Sequence, residues 1–411
     1  MKQLKFVISI GLFLLSLLLI TCDTKNNVEP TFKDYFIRYY GEDGNHEAKD
    51  LVVATDGIII LGTETLGLSN RVYLVKTDFS GTVIWNKTLG SATNAVAQDI
   101  ELIPNGPDAG NFAVLANVRK ANVDSLAIQL TIISSDGDSL KSLLISRYES
   151  QEGKSVTPLL DGGYFITGKV LNADTINVEL PIPDFEDTFV GRIDENLQPV
   201  EYIRIGSASI GSGVKIFQSG SVFHFARYSD ELIGVDSEYE SNFIFNSFIS
   251  DPRSPFESGY GGSPTLNEQM VSAALSTFNR YVAIGTQSDL DNLNKRVYAV
   301  ALSGFPGIAL EQVILSGQND YEAVYVAAGA TRFLVLANES NASGFRDIYF
   351  RKMDGFLETE FDLRFGAPNN DDRGAAVAEL PNGDILILGT MELAGQQDKI
   401  ALIKVRADGT F

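Results

Sequence analysis

The sequence predicts an all-β protein, a seven-bladed β-propeller over residues 32–411 whose N-terminal strand completes the last blade. Three observations predict it. One short pattern recurs seven times at near-equal spacing, each copy carries four strand signals joined by turn chemistry, and the last copy lacks a strand that the start of the chain can supply.

The pattern is four or five residues, mostly β-formers, that end in a small residue followed by a polar one, as in Ile58-Ile59-Ile60-Leu61-Gly62. Further copies occupy 112–116, 164–168, 222–226, 281–285, 333–337 and 385–389, so the small residues are separated by 54, 52, 58, 59, 52 and 52 positions. A fixed period of this length is the mark of a repeat architecture. In the first module the expected strands are a over 50–55, b up to Gly62, c over 72–76 and d over 82–89, with Asp56-Gly57 turning a into b. Glycine supplies the positive φ of such turns, and an adjacent Asp or Asn hydrogen-bonds the local backbone. The c–d turn repeats this chemistry at Asp78-Phe79-Ser80-Gly81, Asp136-Gly137, Asp354-Gly355 and Asp408-Gly409. No stretch shows helical periodicity, and four-stranded modules in tandem describe a propeller better than a sandwich. Gly or Ala at the end of strand b is expected where inner strands converge and a larger side chain would not fit.

The seventh module has strand a over 375–380, strand b to Gly389 and strand c over 400–405, and then no fourth strand. Tyr35-Phe36-Ile37-Arg38-Tyr39-Tyr40-Gly41 has the form of strand d elsewhere, for example Glu201-Tyr202-Ile203-Arg204-Ile205-Gly206. It is expected to close the ring, removing an open sheet edge. Modules two and four depart most from the pattern: the former inserts Asn105-Gly106-Pro107-Asp108-Ala109-Gly110, and the latter lacks a Gly-containing c–d turn.

Ahead of the repeats, Lys2 and Lys5 precede an apolar or small run of 15 residues ending at Ile20, then Thr21 and Cys22. The run is shorter than the roughly 20 residues of a membrane-spanning helix and has the order of a cleaved signal peptide. Leu19-Ile20-Thr21-Cys22 resembles the bacterial lipobox, with Thr21 in place of the usual Gly, Ala or Ser. The resemblance implies that residues 1–21 are removed, that Cys22 is lipidated, and that the protein contacts membrane through acyl chains. Residues 22–31 are polar and read as a flexible tether. Cys22 is the only cysteine, so its acylation excludes disulfides, thiolate metal sites and cysteine nucleophiles. The formal charge of −21 becomes −23 when Lys2 and Lys5 leave, which disfavours nucleic acid as a partner.

The segments Asp161-Gly162-Gly163-Tyr164-Phe165-Ile166-Thr167-Gly168 and Tyr73-Leu74-Val75-Lys76-Thr77-Asp78-Phe79-Ser80-Gly81-Thr82-Val83-Ile84-Trp85 resemble the repeats of exported propeller lipoproteins of Bacteroidetes-type bacteria. That resemblance implies fold and export, with an outer-membrane address facing either the periplasm or the surface, and supplies no catalytic residues. The c–d segment also resembles, faintly, the repeats of quinone-cofactor dehydrogenases. Those propellers carry a tryptophan in almost every blade, whereas Trp85 stands alone here.

Propeller ligands are expected where b–c loops and blade-to-blade connections meet the tunnel. Thr63, Asn117, Lys169, Arg227, Thr286, Asn338 and Thr390, each following a small residue, form a candidate ring there. Polarity at a wet strand end explains them structurally, while Lys169 and Arg227 in adjacent blades suit an anionic or polyhydroxylated ligand. Two long segments, 171–187 with Asp184 and Phe185, and 250–268 with Arg253, Phe256 and Tyr260, are expected on the same face, making a cleft over blades three to five or merely covering neighbouring blades. His46 is expected in a loop and His224 in the core, which leaves no multi-histidine metal site. The acidic turns at 289–292 and 369–372 do not fit a twelve-residue calcium loop, so no cofactor is predicted and calcium is the minor alternative.

The expected function is a monomeric, lipid-anchored binding or scaffold protein of the cell envelope that presents a propeller face to a glycan, peptide or protein. One alternative is an accessory factor for envelope assembly, resembling the propeller lipoprotein of the outer-membrane β-barrel assembly machinery. The other is a glycan-active hydrolase or lyase using tunnel-mouth carboxylates, with Glu64, Glu339 and Glu392 as candidates.

Overall fold

The computed structural model describes residues 35–410 apart from 90–93, 122–124, 173–184, 206–210, 230–241, 262–265, 277–279, 290–292, 304–308, 330–331, 394 and 396. Cys22 and the tether lie outside the described residues.

Seven four-stranded antiparallel sheets follow one another, each a blade with strands a to d in chain order from the centre outward. The innermost strands are Asn45–Ala54, Ala95–Leu102, Ser150–Pro158, Gly211–Ser219, Asn267–Leu275, Asp320–Ala328 and Arg373–Glu379. The exception to chain order is the one anticipated. Phe36–Tyr40 pairs antiparallel with Gln397–Val405, from Phe36 opposite Lys404 to Tyr40 opposite Ile400, and becomes strand d of blade seven. The Tyr40 hydroxyl then donates to the carbonyl of Gly81 in blade one at 2.9 Å, stitching the seam.

The core is distributed between the blades. Among the described residues there are seven buried apolar clusters, one at each blade-to-blade interface; Ile58, Ile60, Leu386 and Leu388 belong to the seam between blades seven and one. Alternation along strand b explains this, because successive side chains face opposite neighbours and both neighbours are apolar. Between blades three and four the packing is aromatic, with Phe165 edge-on to Phe223 at 5.0 Å and to Phe248 at 5.9 Å.

The small residue that ends strand b answers to backbone proximity. A Cβ on Gly62 would stand 2.5 Å from the Glu47 carbonyl oxygen, and one on Gly168 would overlap that of Glu152. Blade four breaks the rule. Its strand a is slipped by one residue, so that Arg227, not Ala226, stands opposite Gly213. Ala226 and Tyr228 accordingly join the cluster shared with blade five, while Phe223 and Phe225 face blade three.

The segment 250–268 is not one loop. It holds the c–d turn of blade four and that blade's outer strand, Glu257–Gly261, which the sequence reading missed because the turn carries no Asp-Gly signal. The insertion in blade two is an a–b turn whose buried Asp108 pairs with Lys141 at 2.8 Å and accepts from the Tyr164 hydroxyl of blade three at 3.3 Å. His46 lies within strand a of blade one and is fully buried, contrary to the loop expected for it.

Candidate functional site

Every innermost strand carries a β-bulge at the same height. The pairing with strand b skips one residue between Ala48 and Asp50, Ala97 and Asp99, Gly153 and Ser155, Gly213 and Lys215, Met270 and Ser272, Ala323 and Tyr325, and Gly374 and Ala376. A bulge leaves ladder groups unpaired and re-aims side chains, and both consequences are visible.

The backbone amide before the bulge turns to the preceding blade. Thr390 Oγ1 accepts from Ala48 at 2.9 Å, Thr63 Oγ1 from Ala97 at 3.0 Å, Thr286 Oγ1 from Ala323 at 2.9 Å, and Asn338 Oδ1 from Gly374 at 2.8 Å. Asn117 accepts from Gly153 at 2.8 Å and donates back to its carbonyl at 3.2 Å. Five of the seven residues expected to ring a ligand are therefore latches between blades, polar because a buried amide must be paired, and of these Asn338 also lines the central cavity. The other two are cations, which cannot accept. Lys169 is ion-paired to Glu186 at 2.6 Å, with Glu152 at 3.7 Å, and Arg227 is buried with its Nε donating to Asn246 at 3.1 Å.

The remaining expected site residues do not converge. Glu339 is buried and held by the Tyr321 hydroxyl, Asn319 and Arg364, each at 2.8 Å. Glu64 pairs with Arg71 at 2.7 Å, and Glu392 accepts from the Asp371 amide at 3.0 Å. Arg253 forks onto Asp251 and reaches Glu201 at 3.0 Å, while Phe256 is exposed beside it. Both sit in a c–d turn, on the face opposite the strand ends at Asn172 and Phe185, and residues 173–184 between those ends lie outside the described residues. Phe185 opens strand c of blade three opposite Asn172, Tyr260 stands opposite Ile244 in blade four's outer strand, and Asp184 lies outside the described residues.

The residues skipped by the bulges are Lys49, Gln98, Lys154, Val214, Val271, Val324 and Ala375. They line a central cavity of about 320 Å³ that also touches Arg346 and Arg373, and hence opens toward the face of the b–c loops. Arg346 and Arg373 are each matched by an acid, Asp371 at 2.5 Å and Asp398 at 2.6 Å.

Below the bulges, side chains from four blades meet across the tunnel. Lys215 of blade four lies 3.3 Å from Asp99 and is bonded to Glu101, both in blade two. Asp50 of blade one is in hydrogen-bond contact with Asp99, and Tyr325 of blade six hydrogen-bonds Asp50 past the small Gly374 and Ala375 of blade seven. Asp50 and Asp99 also accept the amides of Ile100 at 3.1 Å and Val156 at 2.7 Å in their next blades. Burial and then the adjacent Asp99 hold the Asp50 carboxyl well above the usual carboxylate range. Two carboxylates in contact cannot both ionise readily, which strengthens the hold of Asp50 on a proton. Burial opposes the Lys215 charge, but Asp99 and Glu101 overcome it and keep the ammonium protonated. Burial, then the repulsion of Lys49, pushes Lys154 down to about 8.

No protein-family model matches the chain, and no curated protein matches it in sequence. Solved structures resemble it as folds. An ulvan lyase, representing a new family of polysaccharide lyase, matches with a TM-score of 0.57 and 9% identity, covering 90% of this chain and 97% of the lyase. The β-propeller domain of the Trilobed protease from Pyrococcus furiosus matches with a TM-score of 0.51 and 11% identity, covering 88% and 98%. An acylaminoacyl peptidase from Pyrococcus horikoshii matches with a TM-score of 0.52 and 13% identity, this chain spanning 52% of its length. At these identities the likeness concerns the propeller alone.

Proposed function

We propose that the chain is a lipid-anchored binding protein of the cell envelope that takes its ligand, a glycan, peptide or protein segment, into the upper mouth of the propeller tunnel. The signal segment and Cys22 support export and anchoring at the outer membrane, where two acyl chains suffice for stable attachment. The observation that carries the binding role is the cavity itself. Its volume of about 320 Å³ is within the range of ligand pockets, and the cross-tunnel network gives it a rigid floor.

The glycan-active reading is favoured by one feature, the Asp50–Asp99 pair with one raised carboxyl. Its geometry points the other way. Glycoside hydrolysis uses carboxyls separated by roughly 5 to 9.5 Å to leave space for a sugar bond or a water, whereas these two touch each other and hold neighbouring backbone amides. A binding role therefore fits better than turnover.

The propeller Tyr35–Phe411, which holds every strand of the seven sheets, is to be probed on glycan and peptide arrays beside a Val271→Trp variant that fills the cavity. Retention of a defined class by the wild type and its loss in the variant is expected; equal binding by both would remove the tunnel as the site. Anchoring is checked separately by acyl labelling, which Cys22→Ser should abolish.

A further inference from the structure

The tunnel wall is chemically divided. In blades one to three the bulge positions are Lys49, Gln98 and Lys154, while blades four to seven present Val214, Val271, Val324 and Ala375 to the same cavity. Nearly every other cation around the tunnel has an acid or an acceptor in hand: Lys215 has Asp99 and Glu101, Lys169 has Glu186, Arg346 has Asp371 and Arg373 has Asp398. Lys49 and Lys154 differ. Among the described residues neither makes an ion pair or hydrogen bond, although the two ammonium groups are close enough to repel each other. Beside them the Ser155 hydroxyl is buried without a hydrogen-bond partner. In its place in the repeat, Asp50, Asp99 and Ser272 each accept an amide from the next blade.

Donors that no protein acceptor engages, gathered on one wall of a cavity, are available to an acceptor carried by a ligand, and the buried Ser155 hydroxyl is costly to leave unmatched. We infer that the upper tunnel binds an organic anion, its carboxylate received by Lys49, Gln98, Lys154 and Ser155 and its apolar flank lying on Val214, Val271 and Val324. The inference rests on the tunnel being the binding site and names the chemistry of what enters it. Asp99 does not compete for this role, since Lys215 and the Val156 amide occupy it.

Benzoate, with benzamide as its neutral counterpart of the same shape, tests this on the propeller Tyr35–Phe411 by titration calorimetry. Benzoate is expected to bind, benzamide not, and Lys49→Met or Lys154→Met to weaken benzoate by about tenfold to a hundredfold, the contribution of a charge-assisted hydrogen bond. Lys154 is faced by Lys49, Lys169, Asp99 and Glu152, and it is pushed down to about 8 by burial first and then by Lys49. Benzoate affinity should therefore fall between about pH 7 and about pH 9 as that ammonium loses its proton, and Lys154→Arg should bind without that fall. Should benzamide bind as well as benzoate, with the lysine variants unchanged and Val271→Trp still abolishing binding, the anion is wrong and the tunnel site stands. Benzoate binding that survives Val271→Trp would overturn both. Failure of benzoate to bind the wild type overturns the anion and leaves the tunnel to be judged by the arrays.

Discussion

Two rings of side chains circle the same tunnel, and only one of them looks like a site in the sequence. Thr63, Asn117, Thr286, Asn338 and Thr390 recur in register and are polar throughout, yet each is committed to the backbone of the adjoining blade. Lys49, Gln98, Lys154, Val214, Val271, Val324 and Ala375 share no motif, yet they line the cavity. The difference follows from the bulges. A backbone irregularity repeated in seven strands turns the same amide toward each neighbour, and in five of them a Thr or Asn accepts it, so conformity to the repeat reports structure. The side chains a bulge re-aims face a tunnel with no partner to dictate them. There, departure from the repeat is where chemistry can enter.

The sharpest way to break that comparison is to remove a cation that the cross-tunnel network uses. Lys215→Met leaves Asp99 and Glu101 uncompensated in the centre of the molecule and is expected to lower stability by about 3–5 kcal/mol in urea unfolding. Lys87→Met removes an exposed pair with Asp138 at 2.6 Å and should change stability by at most about 1 kcal/mol. Equal effects would mean that the network does not support the tunnel.

The latch ring gives a smaller and more regular effect. Thr390→Val keeps the shape of the side chain but leaves the Ala48 amide at the seam of blades seven and one without its acceptor, for an expected loss of about 1–2 kcal/mol. Thr63→Val should cost a similar amount between blades one and two, and the two should add because they share no partner. A seam that proved several-fold more sensitive than the other interface would show that closure by Phe36–Tyr40 is the weak point of the ring.

These contrasts also mark how far the sequence can be read. Blade count, strand order and closure were legible because they rest on turn residues and on β-formers that recur with the module, as at Asp56-Gly57 and Tyr35 to Gly41. The outer strand of blade four was not, since Asp251 and Arg253 make its turn without glycine. Nor was the slip that places Arg227 where other blades have Gly or Ala, because Ala226 satisfies the pattern by itself. The bulges leave no local signature. Nor does a fixed offset find the bulge position, which lies 13 residues before the small residue of strand b in blade one, 14 in blade three and 18 in blade two. Charge polarity between blades one to three and four to seven could have been found by aligning the modules on their inner strands.

The finest test concerns the proton between Asp50 and Asp99. A carboxyl raised above its ordinary range binds its proton more tightly in the folded chain than in the unfolded one. It adds stability that is complete below the unfolded value of about 3.9 and is lost as pH rises through the folded value. Asp50→Asn reproduces the protonated form: its amide can donate to Asp99 while its oxygen accepts from Ile100, at the expense of the local bond to the Leu51 amide. The variant is expected to stay within about 1 kcal/mol of the wild type in mildly acidic buffer and to lose the decline in stability toward alkaline pH that Asp50 imposes on the wild type. Asp50→Ala, which removes the acceptor altogether, should cost about 1–3 kcal/mol at every pH. If asparagine proves as damaging as alanine across the range, a shared proton is not what Asp50 contributes, and its bonds to the Ile100 and Leu51 amides are what hold the floor of the tunnel.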